Sequence, residues 1–385
     1  MTQVQSESYA LRLRSFQENE YYGRIVANWK PHEQHSFALG GEWSHEEFGL
    51  PHTSYPDKGI WFQMTGMATS FDDSTAMPRW STNLKSVFTE YQWNINDQWT
   101  TFVGARLDDH PYTEQMFSPR GALIYTPTDK DTVKLIASRS SRTDSAALMK
   151  LNRSNGGENN VETLKSIELR YERQQTENLW LAGDIFYNWH DILGVGADWV
   201  GNKLLGEMKS YGFELEASYR KGKTRVDLSH SMSKMLEFDL NNGITSLEIT
   251  AAPFGYGNDL ANWSNHTTKL VVHYDLAERW KLDSSANVYW GYPGGEDYAE
   301  YKNDTSSLHD VYKPGFSKSF RPSIFVNLGV EHKISKNKTL RVDGYNLLGF
   351  IDHDLNKRRV GFNTDYPAQY RCHAPAVGIS YQHKF

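Results

Sequence analysis

YRCHAPAVGISYQHKF, Tyr370–Phe385, is the stretch that decides the fold. Reading back from Phe385 in steps of two gives His383, Tyr381, Ile379, Val377 and Pro375, with Lys384, Gln382, Ser380, Gly378 and Ala376 between them. One face is apolar and ring-bearing, and the other is small or polar. Alternation with period two marks a strand that has an apolar environment on one side and a wetter space on the other.

Working outward from this strand, composition points the same way. The 385 residues could form two or three soluble domains or one large β structure. Aromatics make up 14% of the chain, including 12 Trp and 22 Tyr, yet mean hydropathy is -0.65. A membrane barrel reconciles the two, because only alternate residues meet lipid and Trp and Tyr ring its interfaces. No apolar run approaches the roughly 20 residues of a spanning helix, so a membrane-embedded form of this chain is a barrel. A net charge of -6 without a basic stripe argues against nucleic acid as a partner. The single cysteine, Cys372, excludes an internal disulfide framework and a thiolate metal site. Met1–Ala10 is polar and lacks the apolar core of a secretory signal; an exported barrel needs one, so the expectation is a sequence incomplete at its amino end.

Alternating runs bounded by turn residues predict about sixteen strands, at 6–15, 21–30, 35–46, 83–95, 99–109, 117–126, 132–142, 162–174, 178–189, 211–221, 223–234, 266–275, 280–290, 320–334, 338–351 and 370–385. Short connections, such as Lys221–Gly222 and Ser335–Asn337, alternate with long ones, such as Glu47–Thr82 and Gly291–Ser319. Outer-membrane barrels have short periplasmic turns and long extracellular loops. The expectation is therefore one domain over 1–385, all-β, a transmembrane antiparallel β-barrel.

Parity within strands is a further test. Ile167, Leu169 and Tyr171 share one face of their strand, and Glu168, Arg170 and Glu172 share the other. The charged face is too rich for a packed core and fits a wet lumen. The same parity turns Arg12, Arg14, Arg24, Glu42, Glu90, Arg106, Asp108, Arg120, Lys134, Asp184, Arg225, Asp227, Lys269, Asp283, Arg341 and Asp343 inward. Trp29, Trp99, Tyr125, Tyr171, Tyr219, Tyr274 and Trp280 lie near the short turns on the apolar parity, as a membrane girdle of amphipathic rings would.

Several stretches then resemble one family. FSPRGALIYTPTDKDTVKLIASRSSR (117–142), VETLKSIELRYERQQTENLWLAGDIFYNWHDIL (161–193), SYGFELEASY (210–219) and the Asn327–Leu348 hairpin with its Asn-Leu exit resemble, in order and spacing, the barrel of TonB-dependent outer-membrane receptors. Phe385 resembles the aromatic terminus of the barrel-closing strand. The match spans about residues 83 to 385. Arg142 is followed by Thr143–Asp144, where the family has an aliphatic-proline step, and nothing at the front resembles the plug domain or the TonB-contacting box. Family barrels have about 22 strands, so the chain looks like the carboxyl-terminal part of such a receptor.

The resemblance implies the bacterial outer membrane as location, with lipid and lipopolysaccharide around the wall. It also implies recognition of the last strand by the barrel-assembly machinery, and uptake of a small-molecule or metal-chelate ligand driven by the TonB complex through the plug and box. Ferric siderophore, haem and cobalamin are the ligand classes to expect. Loop rings Trp61, Phe62, Trp199, Tyr256, Trp263, Tyr298 and Tyr301 could grip a flat ligand, and inward Arg106, Arg120 and Arg142 could attract an anionic one. No cofactor and no catalytic set is implied: His32 and His35 lack supporting carboxylates for a metal, and Asp72–Asp73 and Asp297 lack the spacing of a Ca²⁺ loop. A passive porin, or less readily an outer-membrane enzyme, is the alternative.

Overall fold

In a computed structural model, the residues described are 19–48, 80–144, 149, 152–153, 156–195, 202–241, 255–256, 259–260, 264–291, 322–351, 357–359, 370–372 and 375–384. Fifteen strands form one antiparallel sheet in strict chain order. They are β1 (Asn19–His32), β2 (His35–Phe48), β3 (Trp80–Asn94), β4 (Trp99–Asp109), β5 (Met116–Thr128), β6 (Asp131–Arg142), β7 (Glu162–Thr176), β8 (Leu179–Val195), β9 (Asn202–Lys221), β10 (Thr224–Leu240), β11 (His266–Ala277), β12 (Trp280–Trp290), β13 (Ser323–Ser335), β14 (Lys338–Tyr345) and β15 (Ala376–His383). Two short ribbons, Gly255–Tyr256 with Asp259–Leu260 and Lys357–Arg359 with Tyr370–Cys372, belong to the connections.

The turns follow from local chemistry. At Gly222 the backbone takes φ 57, a conformation glycine adopts without steric cost. Asn96 Oδ1 accepts the Gln98 and Trp99 amides at 2.9 and 3.0 Å, and Thr176 Oγ1 accepts that of Leu179 at 3.1 Å. The short turns share one end of the wall, and the strand ends that flank 49–79, 110–115, 143–161, 196–201, 241–265, 291–322 and 346–375 lie at the other.

Three expectations need correction. The last strand starts at Ala376, because Tyr370–Cys372 pairs with Lys357–Arg359 instead of with β14. β14 ends at Tyr345, where Asn346 turns left-handed at φ 51 and its amide donates to Asn327 Oδ1 at 2.8 Å. β9 begins nine residues earlier than expected, so the preceding connection is only 196–201. The predicted strand 6–15, with Arg12 and Arg14, lies outside the described residues, as does Phe385.

Burial in this sheet is the inverse of a water-soluble fold. Ile25 is 80% exposed and Ile185 60%, whereas Asp184, the residue beside Ile185, is only 7% exposed. The register of each strand pair keeps this parity, so one face is aliphatic and aromatic along its middle, with charges only toward its two ends, and the other is charged along its length. Trp29, Tyr171, Tyr219, Tyr274 and Trp280 are exposed on the apolar face near the short turns, and Trp99 and Tyr125, stacked at 4.3 Å, are half-buried there. Further rings, Tyr21, Trp43, Tyr187, Tyr211 and Trp290, occupy the same face toward the long connections. On β1, β9 and β12 the two levels are eight to ten residues apart, which at about 3.4 Å per residue and a tilt of about 40° is about 20–25 Å of height. Sequence parity identified the first level and missed the second.

Candidate functional site

The polar face is built from repeated units of the form Arg-x-acid. Residues two apart on a strand share a face, so each guanidinium Nε can reach its own strand's carboxylate. Arg106 donates to Asp108 at 2.8 Å, Arg170 to Glu172 at 2.7 Å, Arg225 to Asp227 at 2.7 Å and Arg341 to Asp343 at 2.9 Å. In three of them the outer nitrogens then cross to other strands. Arg106 Nη1 reaches Glu42 at 2.5 Å, Arg170 Nη1 reaches Asp184 at 2.8 Å and Glu216 at 2.9 Å, and Arg341 bonds Asp283.

Glycines on the same face give these side chains room to lie flat. A Cβ on Gly329 would sit 2.4 Å from Arg341 Nη2 and 2.5 Å from Asp343 Oδ1, and one on Gly40 would sit 2.2 Å from Phe88 Cζ. Around Arg170 the charges condense: Lys134 bonds Glu172 at 2.7 Å, and Asp184, Glu214 and Glu216 bring carboxylate oxygens within 4.8 Å of one another.

Among the cavities along this face, two lie toward its opposite ends. One of about 480 Å³ lies at the long-connection end and is lined by Thr82, Arg106, Asp108, His110, Met116 and Arg142 among others. The second, of about 640 Å³, lies toward the short turns beside Trp180, Glu216, Arg220, Asp227 and Lys269.

Within the first cavity the residues differ in what they can still bind. Arg106 is spent, with its Nη2 on Ser86 Oγ at 2.8 Å and the remaining contacts on Glu42 and Asp108. Arg142 holds both oxygens of buried Glu162 at 2.9 Å through Nη2 alone, while its side chain is 74% exposed. Its Nε and Nη1 make no hydrogen bond among the described residues. His190 bonds the same Glu162. His110, in the connection after β4, accepts the Tyr112 amide at Nδ1 over 3.3 Å, which leaves the neutral ring's proton on Nε2 for Thr82 Oγ1 at 2.9 Å. Burial holds its pKa below the ordinary histidine value, against a weaker opposing pull from Asp109.

Of the three arginines expected to face a ligand, Arg106 and Arg142 thus share a cavity, whereas Arg120 stands apart, paired with Glu90. The expected loop rings Trp61, Phe62, Trp199, Trp263, Tyr298 and Tyr301 lie outside the described residues. Tyr256 is described only as backbone of its short ribbon. Parity alone did not find Ser86, Thr82, His110, Glu162 and His190; the repeated Arg-x-acid spacing is the signal that points toward such networks.

A single-layer antiparallel meander, apolar on one face and ion-paired on the other, with short turns at one end and long connections at the other, is the wall of a large β-barrel. The chain matches the family model described as TonB dependent receptor-like, beta-barrel, over residues 2–347, and it belongs to that family. Compared with curated protein sequences it matches none. Among solved structures it is similar to the FrpB iron transporter from Neisseria meningitidis (14% identity, TM-score 0.65, 96% of this chain and 55% of that one). It is also similar to the siderophore receptor PirA from Acinetobacter baumannii (14%, 0.62, 96% and 55%) and to PirA from Pseudomonas aeruginosa (13%, 0.59, 96% and 55%). At these identities the likeness is one of fold. The chain spans about half the length of these proteins.

Proposed function

We propose that the chain is barrel wall of an outer-membrane receptor that takes up a scarce ligand of the ferric-chelate, haem or cobalamin class, with transport driven by TonB. The observation that carries this reading is the neutralised, ion-paired inner face in a chain of this receptor family. Pairing of nearly every inward arginine suits a wall that must stay rigid and wet, and it leaves capture to the few groups with free donors. In this reading the long connections face outward from the cell, and the apolar face meets lipid. Trp29, Trp99, Tyr125, Tyr171, Tyr219, Tyr274 and Trp280 form its periplasmic girdle. The fifteen strands act as part of a closed barrel, since open edges at β1 and β15 would leave backbone groups unpaired in hydrocarbon.

Arg142 is the proposed ligand contact, with Nε and Nη1 available to an anionic chelate. Arg106 is a positioning residue that fixes the cavity floor. The test is growth on ferric chelates in cells lacking other receptors, with and without TonB. TonB-dependent growth supports the reading, and an ion-conducting pore that passes solutes without TonB would replace it with a passive porin. Orientation is checked separately with an impermeant maleimide on whole cells, in a Cys372→Ser background carrying cysteine at Glu158 or at Asn337. Glu158 is expected to label and Asn337 is not.

A further inference from the structure

We infer that Arg139 on β6 and Lys165 on β7 form a binding site for a phosphate-bearing glycolipid headgroup of the outer leaflet, the lipid A class, on the outside of the wall. This rests on the outer-membrane reading given above. The two residues are direct cross-strand partners on the apolar-face parity, and both are exposed. Like charges directly opposite each other, with Cβ atoms about 5 Å apart, repel. Neither makes an ion pair with a carboxylate among the described residues. Asp191, opposite Thr163 one step farther toward the connections, is paired with neither.

Two comparisons within the same face make the pair unusual. On β7 the apolar run Ile167, Leu169, Tyr171 is bracketed by Lys165 at one end and by Arg173 at the other. Arg173 is neutralised by Asp131 at 2.8 Å. In the row that contains the pair, Arg139–Lys165–Trp189–Lys209, the last lysine is surrounded by Glu207, Glu237 and Asp239. Of the cations in that row, Arg139 and Lys165 have no carboxylate partner among the described residues. The rings of Tyr187 and Trp189, 4.5 Å apart, flank them at headgroup height. A doubly charged cationic step at the edge of an apolar band, beside amphipathic rings, is complementary to a phosphate carried on acyl chains: the phosphate bridges the two cations and the chains lie along Ile167 and Ile185.

The test uses the receptor extracted from outer membranes in mild detergent, with bound lipid A counted by native mass spectrometry. The wild type is expected to retain lipid A, and R139Q/K165Q to lose at least tenfold of that occupancy. R173Q, at the opposite end, should match the wild type. R139K is expected to rescue retention relative to R139Q, which separates charge from folding. Equal retention by R139Q/K165Q and wild type, both giving a heat-modifiable band, would overturn the site alone. Displacement of lipid A by millimolar inorganic phosphate, or equal occupancy by phosphatidylglycerol from vesicles, would overturn the assignment to a glycolipid headgroup. A wild-type chain that fails to fractionate with outer membranes would overturn the reading beneath it.

Discussion

Removing Arg170 should do more damage than removing any other inward cation. Its side chain is only 17% exposed and it bonds Glu172, Asp184 and Glu216 at 2.7, 2.8 and 2.9 Å. In Arg170→Met the volume is roughly kept, but Asp184, Glu214 and Glu216 remain with oxygens within 4.8 Å of one another, with Lys134 held on Glu172 and Arg220 and Lys269 lining the cavity beside Glu216 as the nearby cations. At an effective dielectric of 20, two such charges repel by about 3.5 kcal/mol. Stripping a partner from a buried ion pair costs about 3–5 kcal/mol. Solvent reaching Glu216, whose side chain is 34% exposed, screens part of this, so the expected loss is about 3 kcal/mol. Urea unfolding of the folded protein in micelles, followed by tryptophan fluorescence, measures it. Asp184→Asn added to Arg170→Met should recover at least about half of the loss, because it removes the least exposed of the stranded charges. A single variant within about 0.5 kcal/mol of wild type, or a double variant less stable than the single, would show that the cluster is not held by this guanidinium.

Arg142→Gln is expected to weaken ferric-chelate binding about tenfold or more, the loss of a charged hydrogen bond of about 1.5–3 kcal/mol, with the barrel still heat-modifiable; unchanged affinity in equilibrium titration would remove Arg142 from the site. His110 should titrate below 6.5 by NMR, because burial favours its neutral form. Its folded pKa being depressed, the unfolded chain binds the proton first, so stability falls as pH drops from about 6.5 toward the folded value, at no more than about 1.4 kcal/mol per pH unit. A His110 resonance that titrates at or above 6.5 contradicts this. Gly329→Val should displace Arg341 from Asp343 and destabilise the wall by about 1–3 kcal/mol; no change in the urea midpoint would mean the backbone there yields freely.

Much of the wall could be read directly from the sequence, because alternation is a local property. Twelve-residue runs such as Asp131–Arg142 carry their own parity, and two-residue turns such as Gly222–Lys223 leave little freedom in register. Ends were less legible. β9 runs back to Asn202 through Leu204, Leu205 and Met208, where alternation is broken but pairing with β8 continues past a register shift at Ile192/Leu193. Tyr370–Cys372 reads as strand and is one, yet its partner is Lys357–Arg359, a choice set by a long connection rather than by parity. The cavity at the long-connection end was half legible. Arg106 and Arg142 could be placed inward, but which of them keeps free donors depends on Glu42 and Ser86, 64 and 20 residues away from Arg106.

The Arg-x-acid repeat explains why charge availability and charge position separate in this chain. An inward arginine with a carboxylate two residues on is neutralised within its own strand, whatever its neighbours are, and its planar fork is then aimed sideways. The sideways nitrogens meet a second carboxylate only if the adjoining strands are in register, as Arg106 meets Glu42 from β4 to β2 and Arg341 meets Asp283 from β14 to β12. A slip of one residue in β2 or β12, the strands that carry them, would turn those carboxylates to the apolar face. The charged bonds therefore add specificity to a register that turn geometry already favours, and they leave no net positive charge where the pattern is complete. Arg142 has the spacing, with Asp144 two residues on and lining the same cavity, but β6 ends at Arg142, whose Nη2 bonds Glu162 of β7 while its Nε makes no hydrogen bond among the described residues. The strand's end breaks the repeat, and the released guanidinium donors stand at the mouth of the wall.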